Sequence, residues 1–250
     1  MNIAVITGAS SGMGKEFVLQ LDKNAHLDEI WMIARDEQKL HGLDGMTRAK
    51  QRILPLDLSS ETAYIYLRQL LENEQPEIKI LVNSAGVGFS GSVTEQTEEQ
   101  LTSMLNLNCV ALSRMTSLCL PYMQKGSRII QLASAGAFFP QPGFAVYAAS
   151  KAYVLSYARA LSGELRDRHI YVTAVCPGPV DTPFFAISSP DGKPVGIKKY
   201  FVSNPKKVVA QAIKDCVCKK EVSIYGLPMK AVHVLSHFPV TALVTRFYAN

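Results

Sequence analysis

The feature that most constrains this chain is an alternation of two periodicities. Short apolar or β-branched runs recur, and most are followed by a stretch with helical spacing. Residues 2–6 form the first run, which ends in Thr7-Gly8, and a helical pattern follows over about 13–21. Residues 29–34, 51–56, 78–82, 127–133 and 170–176 repeat the strand-like pattern. Helical stretches occupy 60–74, 97–105, 106–123 and 145–168. Runs that are apolar throughout suit strands buried on both faces, and strands alternating with helices make a parallel sheet. With right-handed crossovers the pattern predicts an α/β chain: a doubly wound parallel sheet of about seven strands, helices on both faces.

Bulk properties agree with a single domain over 1–250. A chain of this length buries about 75% of its unfolded surface and needs no disulfide or metal to hold its core. The 48% hydrophobic and 19% charged content is that of an ordinary globule, and the net charge of +5 is spread too thinly to make a nucleic-acid stripe. The five cysteines sit in apolar or helical stretches without metal-site spacing, as expected of free thiols in a reducing compartment. No signal-peptide pattern opens the chain, and no run reaches the ~18 apolar residues of a membrane span. The expected location is cytoplasmic. Residues 182–204 read as a long loop between aromatic pairs, placed to cover a ligand. A helix over 205–219, a short strand at 222–224 and an apolar segment over 225–250 complete the chain.

Between the first strand and first helix lies Thr7-Gly8-Ala9-Ser10-Ser11-Gly12-Met13-Gly14. Glycines there let the backbone turn and approach a pyrophosphate, while the helix N-terminus offers free N–H groups and a favourable dipole. The same letters satisfy G-x-S-x-G, the nucleophile elbow of serine hydrolases, which would make Ser10 a nucleophile. That reading needs several preceding strands, and only one precedes this loop. Further on, Tyr147 and Lys151 stand at i and i+4 on one helix face, with Ser134 thirteen positions before the tyrosine. An ammonium held close favours the phenolate and is expected to draw the tyrosine pKa towards neutrality. A serine hydroxyl from another element can hold the oxygen whose proton moves. This trio suits proton transfer at an alcohol or ketone and needs a hydride carrier beside it.

The glycine loop, Asn83-Ser84-Ala85-Gly86, Asn106, Ser134, Tyr147-x-x-x-Lys151 and Pro177-Gly178-Pro179-Val180-Asp181-Thr182 occur in the order of the short-chain dehydrogenase/reductase family, which the chain resembles over nearly its whole length. The resemblance implies a Rossmann-type fold and an alcohol dehydrogenase or carbonyl reductase. It implies that Tyr147 is the general acid/base, that Ser134 orients substrate, and that Lys151 grips the nicotinamide ribose and tunes Tyr147. Asn106 would hold a water in a proton relay. Gly8, Ser10, Ser11, Gly12, Met13 and Gly14 would meet the pyrophosphate side. Asp57 and Leu58 would lie at the adenine, Asn83, Ala85 and Gly86 along the adenosine side, and Pro177, Gly178, Val180 and Thr182 around the nicotinamide. The chain has Asn-Ser-Ala-Gly where the family usually has Asn-Asn-Ala-Gly. It also resembles the hydroxysteroid dehydrogenase and ketoacyl reductase branch.

Cofactor choice is read at the end of the second strand, Ile33-Ala34-Arg35-Asp36. An acid there would accept bonds from the ribose hydroxyls of NAD; Ala34 takes that place, and the Arg35 guanidinium suits a 2′-phosphate. NADP(H) is therefore favoured over NAD(H), although Asp36 can pair with Arg35 and blunt the preference. Phe139, Phe144, Phe184 and Phe185 are expected to line an apolar substrate pocket, with Phe138 and Tyr200 nearby. A hydrophobic ketone or secondary alcohol, steroid-like or not, is the expected small-molecule substrate. A non-catalytic NADP(H)-binding sensor or interaction protein is the alternative. His233 and His237 share a helical spacing but lack a third ligand, so no metal is expected. The resemblance further implies a homodimer or homotetramer, and the apolar tail is compatible with contact to a membrane surface.

Overall fold

A computed structural model describes residues 1–188 and 201–238. The strands are β1 (Asn2–Thr7), β2 (Glu29–Ala34), β3 (Lys50–Pro55), β4 (Glu77–Asn83), β5 (Arg128–Leu132), β6 (Tyr171–Val175) and β7 (Val222–Ser223). They form one seven-stranded sheet in the order β3-β2-β1-β4-β5-β6-β7, with every pairing parallel. The helices are α1 (Gly12–Asn24), α2 (Glu37–His41), α3 (Glu61–Glu74), α4 (Glu98–Leu105), α5 (Leu112–Cys119), α6 (Ala145–Glu164), α7 (Phe184–Ser188), α8 (Pro205–Val217) and α9 (Leu227–Leu235).

Alternating side chains divide the core into two layers. Ile3, Val5, Trp31 and Ile33 face Tyr64 and Leu67 of α3, Met115 of α5 and Val154 of α6. Ala4, Ile6, Ile30 and Met32 face Phe17, Val18 and Leu21 of α1, Leu40 of α2 and Val209 of α8. Because successive strand residues point to opposite faces, the central strands are predominantly apolar and are covered twice.

Three helices depart from the sequence expectation. α2 is a single turn whose start is fixed by Asp36, which accepts a 3.0 Å bond from the Lys39 amide. Its charged residues carry no apolar period. α7 and α9 form within the expected loop and tail; residues 189–200 and 239–250, with Tyr200 among them, lie outside the described residues. The helix anticipated over 106–123 is split. Asn106–Ala111 is a π-helical turn joining α4 to α5, and Leu120–Tyr122 is a 3₁₀ turn. No helix among the described residues is long and apolar enough to cross a membrane.

Candidate active site

The strand order reverses between β1 and β4, and there the backbones are locked together. The Thr7 hydroxyl donates to Val82 O at 3.4 Å and accepts from the Ser84 and Ala85 amides at 3.0 and 3.1 Å. Gly8 has φ +67°, and a Cβ on it would stand 2.9 Å from Ala85 N. Gly8 therefore supplies both the left-handed turn and the room for the neighbouring chain. A cavity of about 1160 Å³ opens at this point and runs from Arg35 at one end to α9 at the other. Gly8, Ser10, Ser11, Gly12, Met13, Asp57, Leu58, Ala85 and Gly86 line it.

Two of the expected cofactor residues do not face the cavity. A Cβ on Gly14 would lie 2.0 Å from Gly8 O, so Gly14 lets α1 pack against its own entry loop. Asn83 is 2% exposed within the sheet, and its amide donates to Thr116 Oγ1 and Gln131 Oε1, each at 3.0 Å. It ties β4 to α5 and β5, while Ser84, Ala85 and Gly86 after it line the cavity.

Ser134 caps the 3₁₀ turn Ala135–Ala137 at the end of β5, its hydroxyl accepting from the Gly136 amide at 3.0 Å. Tyr147 and Lys151 both project from the first two turns of α6 and are 9% and 5% exposed. The Tyr147 ring stacks on Phe144 with centroids 4.3 Å apart and meets Phe184 of α7 at 5.5 Å. Gly88 makes room for that meeting, since a Cβ there would fall 2.7 Å from both rings. The Lys151 ammonium donates to Leu132 O at 2.8 Å.

Asn106 is exposed and lines no part of the cavity. Two residues on, Asn108 is fully buried. Its Oδ1 accepts from the Val87 amide at 2.9 Å, and its Nδ2 donates to Val87 O at 2.8 Å and Ser150 Oγ at 3.0 Å. A Cβ on Gly86 would meet Asn108 Oδ1 at 3.0 Å and Lys151 Nζ at 3.3 Å, which brings the amide and ammonium to one spot. Residues two apart on a helix point to roughly opposite sides, so only one of the two asparagines can face Lys151. The π turn that holds them reads NLNCVA, a mixture of polar and apolar residues with no period that singles out the buried asparagine.

The electrostatics also differ from expectation. Burial pushes the Tyr147 phenol up to about 12, with a hydrogen bond from Ser134 pulling the other way. Burial pushes Lys151 down to about 8. Lys151 donates a hydrogen bond to the Leu132 carbonyl and stands 5.8 Å from the Tyr147 ring centre, so it is not the counter-ion that the bare spacing suggested. The folded lysine titrates below the unfolded one. Below about pH 8 both forms are charged and folding carries the full burial cost. Above that pH the unfolded chain binds the extra proton, so stability rises until both are neutral. Chemical denaturation should therefore show wild type gaining on Lys151→Met as pH is raised from 7 to 10.5; a constant difference would contradict the depressed lysine.

At the far end, Arg35 is exposed and lines the cavity. Asp36 does not pair with it; its carboxylate takes the Lys39 ammonium at 2.8 Å, which also lowers its pKa. Lys39, unnoticed in the sequence, lines the same end. At the near end, Ser134, Phe139, Phe144, Phe184 and Phe185 line the cavity as anticipated. Pro177, Gly178, Val180 and Thr182 also line the cavity. The segment is held by Ser203, whose amide donates to Pro179 O at 2.8 Å and whose carbonyl accepts from Asp181 N at 3.0 Å. Met229 of α9 rests on Gly178, where a Cβ would be 2.7 Å from its sulfur. Phe138 instead packs on His233 at 4.7 Å. Among the described residues no group of three or more potential metal ligands exists, and no histidine lines the cavity to serve Ser10 as a base.

The residues present fit a nicotinamide dinucleotide. Ser11 makes no side-chain cap on α1, which leaves the first-turn N–H groups without that partner at the cavity, where an anionic diphosphate is favoured. A profile of the short chain dehydrogenase family matches residues 2–192. The very-long-chain 3-oxoacyl-CoA reductase of Pyrenophora tritici-repentis is 33% identical over 184 residues, covering 69% of this chain; the chain spans only 53% of that protein. The 17-beta-hydroxysteroid dehydrogenase type 3 of Mus musculus is 30% identical, with 86% of this chain and 71% of that protein covered. A short-chain dehydrogenase from Sphingobium yanoikuyae, solved with NADPH, superposes with a TM-score of 0.82 at 25% identity over 98% of this chain and 95% of that one. The chain belongs to the short-chain dehydrogenase/reductase family, and is an oxidoreductase acting on CH–OH groups and the corresponding ketones with a nicotinamide cofactor.

Proposed function

We propose that this enzyme interconverts a hydrophobic ketone and its secondary alcohol with NADP(H), Tyr147 moving the proton. The observation that carries the reading is the convergence of the Ser134 and Tyr147 hydroxyl groups with an aromatic wall in one cavity, at the opposite end from Arg35. When bound, the nicotinamide supplies or accepts the hydride. Gly8, Ser10, Ser11, Gly12 and Met13 would hold its diphosphate, Asp57 and Leu58 its adenine, and Thr182 and Val180 its nicotinamide end. Ser134 positions the substrate oxygen, and Tyr147 gives it a proton in reduction or takes one in oxidation. A phenol held near 12 by burial is protonated at neutral pH, the form that reduction needs. Lys151 and Asn108 stand behind Tyr147, where the Asn108 amide, through its bonds to Val87 and Ser150, fixes the wall beside the ammonium.

Arg35 and Lys39 place two cations at the adenosine end, and Lys39 holds the Asp36 carboxylate, which would otherwise oppose a 2′-phosphate. The apolar character of the other end agrees with the relatives whose names specify 3-oxoacyl and steroid substrates. The test is a panel of dialkyl ketones, 3-oxoacyl esters and steroids with NADPH and NADH. NADPH oxidation by at least one hydrophobic ketone is expected, with kcat/KM at least tenfold above NADH. Arg35→Ala should lose most of that preference, since a charge-assisted bond of about 1.5–3 kcal/mol corresponds to tenfold or more. No turnover with any carbonyl would defeat the reading, and equal use of both cofactors would defeat its cofactor half.

A further inference from the structure

The helix α9 is apolar on two faces, and only one of them rests on the protein. On that face Met229 lies against Gly178, His233 meets Phe138 at 4.7 Å, and Pro228, Val232 and Leu235 line the main cavity. Successive helical residues turn by about 100°, which puts Leu227, Ala231, Val234 and, in the turn that follows, Phe238 in one stripe on the other face. The stripe is open to solvent: Leu227 is 81% exposed, Val234 58% and Phe238 57%. A helix with apolar residues on all sides is normally buried, yet no residue of α9 is. Phe201 and Val202, before α8, are exposed as well, and Phe201 lines the same cavity. The cavity is thus bordered by apolar side chains that no described residue covers, the mark of an interaction surface.

The charges beside these residues have one sign. Residues 192–209 carry five lysines, and residues 225–250 carry Lys230 and Arg246; neither stretch holds an Asp or Glu. Lys206 and Lys207 in the first turn of α8 and Lys230 on α9 are exposed, and no described carboxylate pairs with them. We infer that α9 and the rim beside it dock on an anionic lipid surface, the stripe entering the headgroup region and the lysines meeting lipid phosphates. A helix lying in that region sinks its apolar side to the edge of the hydrocarbon, and cations around it strengthen the attachment to anionic lipid. An isologous contact with a second copy would also cover the stripe, but it would set the lysines against their own images, and like charges placed together repel. A bilayer supplies both missing partners, hydrocarbon for the stripe and negative charge for the lysines.

Co-sedimentation of the full chain tests this with vesicles of phosphatidylglycerol and phosphatidylcholine in equal parts, and of phosphatidylcholine alone. The protein is expected to pellet with the mixed vesicles, to bind the neutral ones about tenfold or more weakly, and to be released as salt rises to ~0.5 M. Leu227→Ser with Val234→Ser should weaken binding to the mixed vesicles by about tenfold or more, and so should Lys206→Glu, Lys207→Glu and Lys230→Glu together. All five positions are exposed and line no part of the cavity, so NADPH binding at the wild-type level is expected and reports that both variants are folded. Failure of the wild type to pellet, equal binding to the two kinds of vesicle, or undiminished binding by the folded variants overturns the inference. So does sedimentation equilibrium that finds a dimer dissociated by Leu227→Ser with Val234→Ser, because the stripe then belongs to a second copy. Vesicle binding involves no turnover, so its outcome is independent of the ketone-reductase reading.

Discussion

Tyr147→Phe is expected to lower kcat for ketone reduction by about 10²–10⁴-fold, the range for a lost general acid, with cofactor affinity nearly unchanged. The substitution removes only the hydroxyl. The ring contacts with Phe144 at 4.3 Å and Phe184 at 5.5 Å are those a phenylalanine also makes, so the wall of the cavity stays in place. The lost group is one that burial holds protonated, pushed up to about 12, beside a serine that bonds to it. NADPH absorbance in turnover, and quenching of protein fluorescence by NADPH for binding, separate the two effects. Turnover within tenfold of wild type would remove Tyr147 from the proton path.

The second large effect is expected at a residue that touches no ligand. Gly14→Ala should destabilise the protein by about 2 kcal/mol or more, lower the melting temperature by roughly 5 °C or more and weaken NADPH binding. Helix propensity predicts the opposite, because Ala gains about 1 kcal/mol over Gly in a helix interior. The new methyl, however, would sit 2.0 Å from Gly8 O and 2.6 Å from Gly8 C, both backbone atoms that no rotamer change can move. Either α1 withdraws or the Gly8 turn deforms, and the turn forms the cavity edge. Gly163→Ala serves as the control: nothing lies within 4 Å of a Cβ there, so neutrality or a slight gain is expected. Differential scanning calorimetry of the two variants settles the comparison, and a stabilised Gly14→Ala would refute the clash.

The alternation of periods was sufficient for the sheet, because a strand covered on both faces is apolar at most positions. β2 and β1 show this, with Trp31, Met32, Ile33, Val5 and Ile6 all buried. α2, α7 and α9 escaped notice for the complementary reason. They are single or short turns at the cavity rim, where one face meets open space and no full amphipathic stripe is needed. α9 reads as a loose apolar tail, yet Met229 rests on Gly178 and Leu235 lines the cavity.

Residue types at fixed spacing singled out Ser134, Tyr147, Lys151 and the glycine loop, and the fold gathers them around one cavity; each depends on local geometry: a helix face, a strand end, a turn. The sequence by itself thus determined the parallel α/β architecture and the chemical groups at the cavity. The tertiary structure alone decided what those groups face. It turned Asn106 outward and Asn108 inward through a π turn, and it set Asn83 into the sheet and Gly14 against Gly8. It also paired Asp36 with Lys39 and bonded Lys151 to Leu132 O. It raised Tyr147 where the spacing alone argued for lowering it. The physical reason is common to all of these: direction, burial and solvation depend on neighbours distant in the chain, and a spacing along one helix carries no record of them.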